Sequence, residues 1–479
     1  MNKKKLLTDY IFNLLRMIVN IGLPVIILPF VINRIGPENY GIFAYTNSIV
    51  SYFTMAALLG IPDYAFRIIS RKNALSEHRN ELCKTVTEIL SIQFISVSIA
   101  LLLYFAVFYS FFSIEYKPIF LIFSILIASG YLNTEWFYLG RQKFKYIALR
   151  SMLIKMLNAA VIILVIKDGD NSYKYVLITV LTSLANGLVN IIGVIPFIRF
   201  KNLSIKQHIK PIMVLFGLAI TGLINSSIDK TLIGILVGPI YVGYYAVGFR
   251  LSRVVQQIFS SLNNIVFPRV TALLATDDKK QSDKLIRFSM DYIFMFSFPM
   301  ILGLVLYAKD IITIFFKAEL VPAVYSLIIL AGTVPVIAIL GVIRRHVLLS
   351  RDKDSILIVL SLITTLTNIA INLILVPHYK HVGAAVATLF AESAGMIFGM
   401  IYIYNKLNIL LLYTSQLKYL LATPVIFIPW WVSKYHLVYS NTFFTLLLNI
   451  GLSAILYFII LFIIRDDIFY RYTKKYLFK

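Results

Sequence analysis

Apolar runs of membrane-spanning length, separated by short polar segments, dominate the chain. A bilayer core takes about 20 mostly apolar residues per helix. Runs of that kind fall at 10–33, 41–62, 85–112, 117–138, 147–166 and 175–197, then at 211–236, 243–268, 286–308, 320–343, 355–376 and 382–405, and finally at 417–433 and 441–464. The pattern predicts fourteen transmembrane helices, an all-α polytopic membrane protein. The lysines at 3–5 ahead of the first run imitate a signal peptide, but that run is long, carries Arg16 and lacks a small-residue cleavage site. It reads as the first helix.

Inside the runs, polar residues recur at helical spacing, which gathers them on one face. Span 8 carries Arg250, Arg253, Gln257, Ser260 and Asn264; span 1 carries Asn13, Arg16 and Asn20; span 5 carries Ser151, Lys155 and Asn158. Span 7 offers Thr221, Asn225 and Asp229 beside Lys230, and span 11 offers Ser361, Thr365, Asn368 and Asn372. Ionisable groups at mid-membrane cost about 2.5–3.5 kcal/mol each on insertion scales, so they face partners or a wet cavity.

Composition agrees. The chain is 59% hydrophobic and 14% charged, against about a quarter charged in soluble domains. Its one cysteine, Cys83, excludes an intramolecular disulfide and a Cys-rich metal site. The net charge of +23 follows topology. With both termini cytoplasmic, and cations in the end turn of a span counted with the adjoining segment, 32 of the 45 Lys and Arg fall in cytoplasmic segments and eight in outward ones, the bias of the positive-inside rule. Nucleic acid is not needed as a partner to explain it; anionic membrane lipids are.

The chain also repeats itself. Gly36-Pro37 with Gly41 and Ala44 matches Gly238-Pro239 with Gly243 and Ala246; Arg141-Gln142-Lys143 matches Arg351-Asp352-Lys353; Asn158 matches Asn368. Each half has six spans, an even number, so the copies enter the membrane in the same sense as parallel repeats. The expected organisation is a six-helix lobe at 1–200, a second at 201–410, and at 411–479 an added helical hairpin with a basic cytoplasmic tail. Two such lobes enclose a central cavity that opens alternately to either side.

Five cations more than one turn inside spans, Arg16, Lys155, Lys230, Arg250 and Arg253, outnumber two clear mid-span acids, Asp229 and Glu392. Such a cavity prefers an anion, and phosphate suits the arginine fork. Asn13, Asn20, Asn225, Gln257 and Asn368 are the expected neutral lining. Asp229 and Glu392 are candidates for ion coupling, or neutralise the arginines instead. His378 and His381 lack a nearby third ligand and read as solvated loop histidines, so no metal is expected. Gly395 and Gly399 read as close helix packing. No Walker A, HExxH, GxSxG or dinucleotide fingerprint occurs, and no outward loop is long enough for a catalytic domain. The expectation is a non-enzyme with no cofactor and no nucleotide.

Residues 34–41, Arg-Ile-Gly-Pro-Glu-Asn-Tyr-Gly, resemble the Wzx-type polysaccharide-unit flippases, as do Trp136-Phe137-Tyr138-Leu139-Gly140 with Phe144, Ile228-Asp229-Lys230 with Gly234, and Pro268-Arg269. The resemblance covers about residues 8–405; family members commonly carry glutamate where Gln142 stands. It implies a fold shared with MATE exporters in the multidrug/oligosaccharidyl-lipid/polysaccharide superfamily. It also implies a substrate of undecaprenyl-pyrophosphate-linked oligosaccharide, flipped across the bacterial cytoplasmic membrane for capsule, O-antigen or exopolysaccharide. Pyrophosphate-holding arginines carry over to Arg16 and to Arg250 and Arg253. A polysaccharide polymerase and chain-length machinery are the implied protein partners. A MATE-like exporter of drugs or cations and a flippase of lipid II or teichoic-type precursors are the alternatives.

Overall fold

A computed structural model describes residues 3–74, 79–111, 116–436 and 442–466. All regular structure among them is helical. In chain order the helices are α1 (Lys3–Leu58), α2 (Ile61–Ala74), α3 (Arg79–Phe111), α4 (Lys117–Ala128), α5 (Glu135–Gly140), α6 (Phe144–Val165), α7 (Ser172–Ile192), α8 (Lys206–Leu236), α9 (Pro239–Ala275) and α10 (Lys279–Leu306). There follow α11 (Ala308–Phe315), α12 (Ala323–Ala331), α13 (Thr333–Gly341), a π-helical segment (Val342–Leu348), α14 (Asp354–Leu407), α15 (Leu417–Ala422), α16 (Phe427–His436) and α17 (Thr442–Ile463). Two of these are helix pairs run together. α1 breaks at Gly36, whose φ of 82° is open to glycine without strain, and α14 breaks at Lys380, at φ 53°.

Each of the fourteen apolar runs lies mostly on helix. Ten helices among the described residues are long and apolar enough to cross a membrane, and the breaks within α1 and α14 divide two of the longest. Large apolar side chains stand open on the surface, among them Leu102 at 71% and Leu164 and Leu421 at 77% exposure. Water does not tolerate such continuous apolar surface; lipid does. The chain is a multi-pass membrane protein.

By contacts the chain divides into two compact units, Met1–Gly243 and Tyr244–Lys479. In the first, Ile61, Ala65 and Ile69 of α2 bury against Val86, Ile89 and Ile92 of α3 and Trp136 and Phe137 of α5. α1 and α8 are joined by hydroxyls: Ser48 to Thr231 at 2.8 Å, Tyr52 to Thr231 at 3.2 Å and Ser51 to Ser227 at 3.2 Å. Small polar side chains let membrane helices approach closely. At the start of α1's second limb, Gly41 faces the Pro239 carbonyl and Gly243 faces the Pro37 carbonyl so closely that a Cβ on either glycine would collide. The two copies of the Gly-Pro motif therefore contact each other reciprocally.

In the second unit, Phe259, Val266 and Val270 of α9 pack with Met290 and Ile293 of α10 and Val334 and Ile339 of α13. The hairpin docks on α10 through Met295, Tyr419, Tyr457 and Leu461. Tyr457 donates to the Met295 carbonyl at 2.8 Å and Tyr419 to Asp466 at 2.9 Å. Gly395 and Gly399 are packing glycines, the first against Thr364 and the second against Ile343 and Leu360.

The repeat extends to backbone conformation. Gly36 and Gly238 both have positive φ, at 82° and 102°, and so do Gln142 and Asp352, each at 55°. The turn at Gln142 closes with Lys143 N–H donating to the Tyr138 carbonyl at 2.9 Å, and the turn at Asp352 with Lys353 N–H donating to Leu348 at 3.0 Å. Equivalent residues thus end equivalent helices in the same way.

Candidate functional site

The α9 stripe is open. One face of the helix is occupied by the core through Phe259 and by Gln256, which donates to Thr333 at 3.0 Å. On another face Arg250, Gln257, Ser260 and Asn264 are exposed and Arg253 half-buried. The Arg253 guanidinium lies 4.8 Å from the centre of the Phe249 ring, which holds it flat against its own helix. Asn264 accepts from Arg345 at 2.7 Å. A row of polar side chains uncovered by protein along a membrane-spanning helix requires water or a polar ligand beside it.

The α14 stripe is closed. Thr364, Thr365, Asn368 and Asn372 are buried, Thr365 donates to the Ser361 carbonyl at 2.8 Å, and Asn372 donates to the Asn368 side chain at 3.1 Å. Contacts of Gly395 on Thr364 and Gly399 on Leu360 set the two limbs of α14 antiparallel, which places buried Glu392 level with Asn368. Glu392 is within electrostatic reach of Arg344 on the π-helical segment. The Nε and Nη2 atoms of Arg344 are buried without a hydrogen bond among the described residues. A π-helical turn of this kind recurs at functional sites. Arg344 is absent from the residues that the sequence singles out, because its apolar run ends one residue earlier, at 343. The double arginine at 344–345 abutting that run was the available signal.

In the first unit Asp229 is buried, while Asn225 and Lys230 on the same helix are half-buried, as is Lys155 on α6. Asn158, one turn beyond Lys155, donates to Thr182 at 2.6 Å. The side chains of Asn13, Arg16, Asn20 and Thr221 lie outside the described residues. Within the second unit, then, Arg250, Arg253 and Gln257 share one open face, and Asn368 and Glu392 share one closed layer.

Two further residues are built in firmly. Glu88, 1% exposed, accepts from the Ser204 N–H at 2.6 Å and pairs with His208 at 2.9 Å; His208 in turn contacts the Tyr64 hydroxyl at 2.6 Å. His381 is not a solvated loop histidine: it is buried, with Nε2 3.1 Å from the Pro322 carbonyl. No cluster of three or more metal-binding side chains occurs among the described residues.

The architecture is all-helical and multi-pass, with an internal repeat and an open polar face on α9. The profile of the polysaccharide biosynthesis protein family matches residues 31–325, more than half of the chain, and the chain belongs to that family. The lipid II flippase MurJ in an inward closed conformation has a TM-score of 0.77 at 17% identity, over 96% of this chain and 99% of that one. An inward-facing multidrug resistance MATE family transporter of the MOP superfamily has a TM-score of 0.64 at 12% identity, over 84% and 98%. The chain shares its fold with both of these proteins. Among curated relatives, the probable low-salt glycan biosynthesis flippase Agl15 of Haloferax volcanii is 25% identical over 197 residues. That alignment takes in 41% of this chain and 42% of Agl15, so it spans less than half the length of the relative. Each of these three is named as a flippase or transporter rather than as an enzyme.

Proposed function

We propose that the protein flips an undecaprenyl-pyrophosphate-linked oligosaccharide across the cytoplasmic membrane by alternating access of its two repeated lobes, 1–200 and 201–410, for assembly of a surface polysaccharide. The observation that carries the reading is the open arginine face of α9 in a chain of the polysaccharide biosynthesis family. Arg250 and Arg253 there offer guanidinium forks to pyrophosphate oxygens, and Gln257, Ser260 and Asn264 continue the polar track toward the sugars. The polyprenyl tail stays in lipid while the head crosses. Arg16, Lys155 and Lys230 are the further proposed cationic positions, with Asn13, Asn20, Asn225 and Asn368 as neutral lining. Asp229 and Glu392 are the carboxylates available to couple an ion.

The test is flipping of undecaprenyl-pyrophosphate-linked oligosaccharide in proteoliposomes under a defined ion gradient. Arg253→Ala is expected to lower the rate at least tenfold at equal folded protein, the scale of one charge-assisted pair lost from a phosphate. Wild-type protein that moves a soluble compound and no pyrophosphate-linked glycan would overturn the reading in favour of an exporter.

A further inference from the structure

Under the charge-based topology only eight Lys and Arg fall in outward segments. Two of them, from different segments, come together. Where the end of α10 meets α11, α16 and α17 there is a cavity of about 420 Å³, lined by Lys309, Asp310 and Thr313 of α11, Ser433 and Lys434 of α16 and Asn449 of α17. Both lysines are exposed, and the Lys434 ammonium sits 4.6 Å from the centre of the Trp430 ring, which also lines the cavity. Two lysines against one aspartate leave the lining net positive. Burial lifts the Asp310 carboxyl above the ordinary carboxylate range while Lys309 and Lys434 pull the other way, so both ammonium groups act on the same point. Tyr307 lines this cavity and also a second, almost wholly apolar one of about 340 Å³ between α10 and the hairpin, walled by Phe296, Ile450, Tyr457 and Phe458.

A polar, cationic cavity joined through one residue to an apolar one matches an amphiphile with an anionic head. We propose that the α11–hairpin cavity binds the phosphate headgroup of a lipid, Lys309 and Lys434 engaging the phosphate oxygens and Ser433 and Asn449 neighbouring hydroxyls, with a hydrocarbon chain in the adjoining apolar cavity. The inference is independent of what the protein transports. A membrane phospholipid and a polyprenyl phosphate share this chemistry.

Native mass spectrometry of the full chain, titrated with phosphatidylglycerol, undecaprenyl phosphate and zwitterionic phosphatidylcholine, tests it. Wild type is expected to retain one or both anionic lipids over phosphatidylcholine. Lys309→Gln/Lys434→Gln is expected to lower that retention about thirtyfold, at roughly fivefold for each cation removed from a lipid surface site. Asp310→Asn, which removes the opposing charge, is expected to raise it, a change of sign that a packing role would not produce. Retention of phosphatidylglycerol alone marks a bulk phospholipid site, and of undecaprenyl phosphate alone a carrier-lipid site. Equal retention of all three lipids by wild type, or retention unchanged in both variants, would overturn the proposal.

Discussion

Glu88 shows how one carboxylate holds a connection in place. Its two oxygens bind the Ser204 N–H just before the start of α8 and the His208 ring within α8, and Tyr64 of α2 closes the far side of the imidazole. With Glu88 and His208 both about 98–99% buried, removal of one partner strands the other, at a cost of about 3–5 kcal/mol. Glu88→Leu is therefore expected to melt well below wild type in detergent, and Glu88→Leu/His208→Leu to recover part of the loss, because the buried imidazole is no longer stranded while the Ser204 N–H and the Tyr64 hydroxyl still lose their partners. A Glu88→Leu protein that melts with wild type would show that the network contributes nothing. Arg344 teaches the converse lesson about single residues. Its place within electrostatic reach of Glu392 lies on a π-helical turn, and no hydrophobic run reports a turn of that kind.

At the scale of elements, glycines decide how near two helices come. Gly243→Ala puts a methyl group into the Pro37 carbonyl and Gly41→Ala puts one into that of Pro239. Overpacking of this sort costs about 1–3 kcal/mol, read as a fall in melting temperature. Because both glycines serve one contact, the double variant is expected to fall short of the sum of the singles; strict additivity would mean that the two contacts are separate. Helix positions and the repeat are legible in the chain because twenty-residue apolar runs and a Gly-Pro motif need no partner to be recognised. The faces are less so. Periodicity places Gln257 and Asn368 alike on polar stripes, yet α9 leaves Gln257 exposed and α14 buries Asn368 beside Asn372. Which stripe is covered depends on what packs against it, and that information is spread over the whole chain. His381 is a case of the same kind: its carbonyl partner, Pro322, is 59 residues away.

For the whole molecule, the openness of the α9 face carries a direct expectation about water. Cys83 is buried, so the native chain offers a silent background for labelling. In Gln257→Cys, a membrane-impermeant thiol reagent is expected to react far faster than with the unmodified protein, and saturating amounts of a pyrophosphate-linked glycan are expected to slow that reaction. A thiol at 257 as inert as Cys83 would mean that lipid or protein covers the stripe in the membrane, leaving α9 no role in transport.

The reciprocal meeting of the two Gly-Pro motifs also bears on descent. When Gly41 receives Pro239 and Gly243 receives Pro37, each copy does to the other what it undergoes, which is the relation of two identical subunits across a two-fold axis. Two copies of a single ancestral half would have made this contact as a homodimer, where one substitution strikes both sides at once. A single chain carrying both copies is free of that constraint. Between the shared glycines one copy reads Glu38-Asn39-Tyr40 and the other Ile240-Tyr241-Val242. Asn39 now accepts the Ser172 N–H at 3.2 Å, an anchor for the start of α7 that Tyr241, at the matching position of the other copy, has no carboxamide to reproduce.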